Sequence, residues 1–203
     1  MTEYEDRFRW LLSELRSRPF LHQLAFGICI FERSLPGYFQ FQQETGWHGG
    51  AELRAVLAKC WSVLEGGKNT NELCFTTNVE DCARWMPESE RFDSPYTSAA
   101  IDTANIACCL LEYLDASDFQ FILEAAEARR DTIYLYVQNS MPGVLVDESL
   151  QRATHEHPLM MEELSFMSGD LDELADLSTK GAELSTGLLK RIRAMRYSDL
   201  RLK

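Results

Sequence analysis

Apolar residues recur along this chain at spacings of three and four, the period of a helix with one buried face. No stretch shows the two-residue alternation of a half-buried strand. Between about Tyr4 and Ser17, the residues Phe8, Leu11, Leu12 and Leu15 share one side, which predicts a first amphipathic helix. Pro19 sits in the favoured first-turn position of a second helix, which the pattern carries to about Leu35. Phe20, Leu24, Ile28, Phe31 and Leu35 form its stripe, but Phe26 and Ile30 lie on the far side. A helix apolar nearly all round is a buried one. Pro36 then ends it or starts a short helix that stops near Gly46.

The pattern continues with a fourth helix over about Ala51–Leu64, carrying Leu53, Val56, Leu57, Cys60, Trp61 and Leu64 and stopped by Gly66–Gly67. A fifth covers about Asn71–Met86 and ends at Pro87. Ser94–Pro95 opens a sixth, to about Leu114, whose Ala99, Ala100, Ala104 and Ala107 let neighbouring helices approach closely. A seventh runs from about Phe119 to Gln138, with Asp118 as its cap and Pro142–Gly143 as the breaker behind it. From Leu159 onward, Leu164, Met167, Leu171, Leu174, Leu177, Leu184, Leu188, Ile192 and Met195 recur at mostly helical spacing. One helix over 159–197 would be roughly 55 Å long, more than a compact domain of this size spans. It therefore kinks at Gly169 or Gly181, or its end projects and pairs with another subunit. The expectation is a single all-α domain over 1–203, a bundle of about seven to nine helices.

Composition narrows the class. A chain of 203 residues with 45% hydrophobic content is long and apolar enough for one substantial core. The longest apolar run, Ala25–Phe31, is about seven residues, where a membrane span needs roughly twenty. The acidic start, Met1 to Phe8, lacks the basic and apolar regions of a secretory signal, so a cytoplasmic protein with no membrane partner is expected. The net charge of −12 opposes general nucleic-acid binding, since phosphate repels it. The C-terminal end is the exception, with Lys190, Arg191, Arg193, Arg196, Arg201 and Lys203 against Asp199 alone. It reads as a basic helix end complementing its own dipole, or as a docking tail for an acidic partner or RNA. The six cysteines, Cys29, Cys60, Cys74, Cys82, Cys108 and Cys109, form no Cys-x-x-Cys pair and fit free buried thiols better than zinc or redox chemistry.

One local oddity draws attention to the second helix. Glu32 and Arg33 stand side by side where that helix is expected to end. The dipole there suits Arg33 and disfavours Glu32, and neighbours in sequence point apart, so the two are poor partners. Glu32 also lies at the margin of the apolar stripe, which calls for a partner from another helix or a raised pKa. Arg54, Arg129 and the Tyr38 hydroxyl are the candidates, and the plainest outcome is an ion pair locking one helix onto another.

The same stretch, Phe31-Glu32-Arg33 … Pro36 … Tyr38 … Phe41 … Thr45-Gly46, resembles the signature of the YjaG-like family, a bacterial domain of unknown function. The segment 98–114 around Asp102 and the segment 157–167 from His157 resemble it too. The likeness covers most of the chain and implies an all-helical domain, with no activity attached. The ending departs from the family pattern: Ser198, Asp199, Leu200 and Arg201 stand where similar proteins finish in Ser-Asn-Ile-Gly.

Asp102 shares a stripe with Ile106, Cys109 and Tyr113, so it needs a donor nearby or joins Glu32 in a polar pocket between helices. Glu32, Arg33, Tyr38, Thr45 and Asp102 are thus the candidate ligand-binding residues. His155, His157 and Glu162 form a weaker candidate metal set, set against a solvated helix start with Glu162 and Glu163 near the positive end of the dipole. Trp47–His48 lines a pocket mouth or simply packs. No Glu-x-x-His pair, nucleophile elbow, phosphate loop or dinucleotide fingerprint occurs, so no cofactor is expected and no reaction is indicated. The first expectation is a non-enzymatic protein that acts through protein–protein contacts as a homo-oligomer, since no catalytic motif occurs. The alternative is a ligand binder or enzyme built on the Glu32–Asp102 pocket, and the third is nucleic-acid association through the basic tail.

Overall fold

The computed structural model describes residues 2–66, 79–141 and 148–175. Eight α-helices occur among the described residues: α1 (Glu3–Arg16), α2 (Phe20–Thr45), α3 (Gly50–Gly66), α4 (Val79–Ala83), α5 (Thr97–Ala116), α6 (Phe119–Asn139), α7 (Glu148–His155) and α8 (Pro158–Ala175). A single 3-10 turn, Ser89–Arg91, precedes α5. The expected all-α class holds. The continuation of the C-terminal helix to 197, the kink at Gly181, the basic tail, Cys74, Gly67, Pro142–Gly143 and the first part of the fifth helix lie outside the described residues.

Each start and stop has a local cause. Thr2 caps α1 in a reciprocal box, accepting from the Glu5 amide at 3.3 Å while its own amide donates to the Glu5 carboxylate at 2.8 Å. Glu3, Glu5 and Asp6 in the first turn and Arg16 in the last suit the dipole. Asp118 caps α6 through the Gln120 amide at 2.9 Å. Gly46, with φ of 71°, closes α2 in the left-handed conformation that glycine adopts freely.

Pro36 does not end α2, contrary to the sequence expectation. It lies inside a helix of 26 residues, on an exposed side where water can replace the missing backbone bond. A partner helix steadies the same region: the Thr103 hydroxyl of α5 lies 3.1 Å from the Ser34 carbonyl and 2.6 Å from its own Ala99 carbonyl. The dipole argument for Arg33 therefore fails, because the helix continues three turns beyond it.

As its all-round apolar pattern predicts, α2 is the buried element, packed against α1, α3, α5, α6 and α8. Close approach to α5 depends on small residues. A Cβ at Gly37 would meet the Ala99 methyl at 3.0 Å, and one at Gly27 would meet the Leu110 side chain at 2.6 Å. α5 and α6 complete the centre, with Ala100, Ala104, Ile106, Leu110, Ile122 and Ile133 inside. α1 and α8 close the core from outside with Phe8, Leu11, Leu15, Met160, Leu164 and Met167. α8 passes through Gly169 as one helix. No described helix is long and apolar enough to cross a membrane.

Candidate functional site

Arg33 is the largest fully buried side chain, 1% exposed, and it reaches α8 rather than solvent. Its Nε donates to Glu163 Oε1 at 2.8 Å, and its Nη1 donates to Asp170 Oδ2 at 2.6 Å. Arg129 of α6 donates from Nε (3.1 Å) and Nη2 (2.8 Å) to the other oxygen of Glu163. Two guanidiniums and two carboxylates, none more than 8% exposed, thus join α2, α6 and α8. Burial alone would push the Glu163 carboxyl up, but Arg129 and Arg33 together hold it below the usual carboxylate range. The expected solvated setting of Glu163 is therefore wrong: only Glu162, one position earlier, is exposed.

The other sequence candidates do not converge on this quartet. Half-buried Glu32 accepts from the Trp61 indole of α3 at 2.8 Å, a donor absent from its expected partners. The Tyr38 hydroxyl lies 2.7 Å from the carbonyls of both His48 and Trp85, and the Trp47 indole donates to the same Trp85 carbonyl at 3.0 Å. Tyr38 and Trp47 therefore pin the loop after α2, and burial pushes the Tyr38 phenol well above its ordinary range. Gly49, with φ of 111°, passes so close that any Cβ would collide with the Tyr38 hydroxyl. Thr45 donates to the Phe41 carbonyl at 2.7 Å and accepts from the Trp47 amide at 3.2 Å, finishing the helix. Asp102 accepts from Thr132 of α6 at 2.6 Å. Burial pushes its carboxyl up to about 6, Thr132 pulls it back, Asp131 adds to the rise and Arg129 opposes it.

The concave surface lies elsewhere, at α1, α6 and α7. His155 closes α7 and is 6% exposed, so the solvated setting expected for it is corrected. Its ring stacks on Tyr4 at 4.9 Å and 12°, leans on Tyr134 at 5.5 Å, and its Nδ1 lies 2.9 Å from the Thr2 hydroxyl. Burial lowers the His155 pKa, Glu5 opposes that and Arg130 adds to it, so the ring is neutral at pH 7. Beside this stack opens a cleft of about 660 Å³. α1 contributes Tyr4, Phe8 and Leu12 to its walls, and α6 contributes Leu123 and Tyr134. A second cleft of about 630 Å³ opens against the same Tyr4–His155 wall, toward Glu148, Arg152 and Glu156. None of Glu32, Arg33, Tyr38, Thr45 and Asp102 lines either cleft. Among the described residues no three His, Cys, Asp or Glu side chains gather as metal ligands, so His155, His157 and Glu162 do not meet.

The described thiols, Cys29, Cys60, Cys82, Cys108 and Cys109, are free. Burial pushes Cys60 and Cys109 up to about 12, which leaves both protonated and unreactive at neutral pH.

A family model for a protein of unknown function, DUF416, matches residues 11–203. The chain belongs to the DUF416 family. The uncharacterized protein YjaG of Escherichia coli strain K12 is 24% identical over 182 residues, which are 87% of this chain and 88% of that one. A DUF416 family protein from Shewanella baltica OS155, solved by crystallography, superposes with a TM-score of 0.76 at 19% identity, covering 91% of this chain and 92% of that one. At that identity the likeness establishes the common fold. The resemblance carried by Phe31–Gly46 thus identifies the DUF416 family correctly, and the structure assigns most of that signature to helix packing.

Two measurements on this DUF416 protein check the assignment. Glu163→Gln leaves two buried guanidiniums facing one carboxylate, and should lower the unfolding free energy in urea by about 3–5 kcal/mol. Asp102 has a folded-state pKa above its unfolded one, so the folded protein binds the extra proton between about pH 4 and pH 6. Its favourable contribution is full below that window and is lost as pH rises through it. Asp102→Asn keeps the Thr132 bond without titrating, and should stabilise the protein at pH 7 by about 1–2 kcal/mol after allowance for partial exposure, with no gain at pH 4.

Proposed function

We propose that this DUF416 protein works by binding a small molecule in the cleft between α1, α6 and α7, and not by chemistry at its buried acids. The cleft itself carries the reading: about 660 Å³ is the size of a metabolite site, and its walls combine stacked rings with oriented polar groups from three helices. The polar groups are held in place. Gln151 donates to Glu5 at 3.1 Å, and Arg130 is fixed by Asp131 at 2.8 Å while its guanidinium lies over the Phe8 ring. A wall ordered before a ligand arrives loses less entropy on binding. The commitment of Glu32, Tyr38, Thr45 and Asp102 to bonds within the fold supports the same reading.

A fragment library of aromatic acids, amines and neutral compounds, screened by ligand-observed NMR against the full chain, should give binders that Gln151→Trp displaces. Gln151 is exposed at the cleft wall, so the indole fills the space without touching the core. Binders indifferent to that variant, or no binders, would remove the cleft from consideration.

A second reading, self-association, is favoured by Trp10, which is 56% exposed on the outer side of α1. The apolar spacing that continues in the sequence through Leu177, Leu184, Leu188 and Ile192 adds to it. Light scattering behind size exclusion should then report a dimer that Trp10→Ser weakens. A strictly monomeric mass at micromolar concentration rejects this reading.

A further inference from the structure

The charges and rings of the cleft define the class of ligand, an inference that rests on the cleft being a binding site. Of its ionisable walls, Glu5, Glu127 and Asp131 are acids, and Arg9 and Arg130 are bases. Both bases already face carboxylates: Arg9 pairs with Asp6 at 2.8 Å, and Arg130 pairs with Asp131 at 2.8 Å. An incoming anion therefore meets guanidiniums already paired with carboxylates, beside Glu5 and Glu127, which repel it. Glu127 is different. It is half-buried on the cleft face of α6, one turn before Asp131, and makes no hydrogen bond or ion pair among the described residues. A partly desolvated carboxylate without a partner is an unmet demand for a cation.

Two further features point the same way. The half-buried Tyr134 ring lines the cleft, and the Arg130 guanidinium, 5.2 Å from the centroid of the buried Phe8 ring, shows that this wall already carries one flat cation on an aromatic face. The neighbouring cleft across the Tyr4–His155 wall holds Glu3, Glu5, Glu148 and Glu156 against Arg152, so its described side chains carry more negative than positive charge. His155 adds no compensating charge, because burial keeps it neutral at pH 7. A metal ion does not suit this arrangement, because among the described residues no three carboxylates, imidazoles or thiols gather close enough to ligate one. Separated carboxylates around apolar rings suit a large cation with a diffuse charge.

We propose that the cleft binds an organic cation, an ammonium or guanidinium group on an apolar body, with Glu127 as its counter-ion and Tyr134 against its body. Glu127 supplies the charge, the rings supply contact area, and the Arg130–Asp131 pair fixes the rim.

Calorimetric titration of the full chain with benzyltrimethylammonium, benzyl alcohol and phenylacetate at low salt separates the possibilities. The cation should bind with a Kd below roughly 1 mM, at least about tenfold tighter than either other probe. Glu127→Gln should weaken it by about tenfold, and added salt should weaken it further. Because Glu127 makes no hydrogen bond or ion pair among the described residues, this variant keeps the helical circular dichroism and melting temperature of the parent. Phenylacetate binding as tightly as the cation, or cation binding indifferent to Glu127→Gln, overturns the organic-cation assignment while leaving a ligand cleft in place. No binding of any of the three, with Gln151→Trp equally silent, overturns the cleft as a binding site.

Discussion

The interaction on which the rest of the structure depends is the buried quartet of Arg33, Arg129, Glu163 and Asp170. Taking four charged groups out of water costs several kcal/mol for each, and the mutual attraction returns that cost only if every geometry is good. Here the charges cancel, and the two oxygens of Glu163 are divided between two guanidiniums. The second carboxylate, Asp170, stands seven residues from Glu163, two turns along the same face of α8. Arg33 is long enough to bridge both. If α8 slid along α2 by one turn, the carboxylates would lose the guanidiniums that they now face. Apolar contacts tolerate such slippage far better than charges do, so the quartet is what selects one register for α2, α6 and α8.

The same constraint reaches the cleft through α6. Arg129 points inward to Glu163, while Arg130, the next residue, points outward over Phe8. Thr132 turns back to Asp102, and Tyr134 turns out to His155. One helix thus alternates between holding the core together and walling the cleft, so the position of the wall is set by the buried charges behind it. Tyr4 reports the link: its phenol, raised chiefly by burial, is also influenced by Arg130 on the cleft side and Glu163 on the core side.

The helices were legible in the sequence because their cause is local. Period, caps and glycine stops place α1, α3 and α6 within two or three residues of their observed ends. Pro36 misled because its effect depends on which side of the helix it occupies, and exposure is a tertiary property. Glu32 was correctly marked as needing a partner from another helix, but the Trp61 indole is a neutral donor, and a search for opposite charge passes over it. Glu163 was missed although a signal existed. Met160, Leu164, Met167, Leu171 and Leu174 form the buried stripe of α8, and both Glu163 and Asp170 fall within it. Two acids inside an apolar stripe, seven residues apart, require buried bases elsewhere, and the all-round apolar pattern of α2 places Arg33 on a buried helix.

The cleft had no such signal. Its residues come from 4–12, 123–134 and 151–155, and the bond beside it joins Thr2 to His155 across 153 positions of the sequence. Taken helix by helix, Glu127 is an ordinary acid on a partly exposed face, and Tyr4 is one more aromatic in an apolar stripe. Their significance arises only where α1 and α7 meet α6, and there Tyr4 and Phe8 belong to the core as well as to the cleft, while Glu127 makes no hydrogen bond or ion pair among the described residues. This separation has a physical consequence. Glu127 is free of structural duty, whereas Glu32, Arg33, Tyr38 and Asp102 each hold a bond on which packing depends. Glu127 stands half-buried at the cleft without a hydrogen bond or ion pair among the described residues.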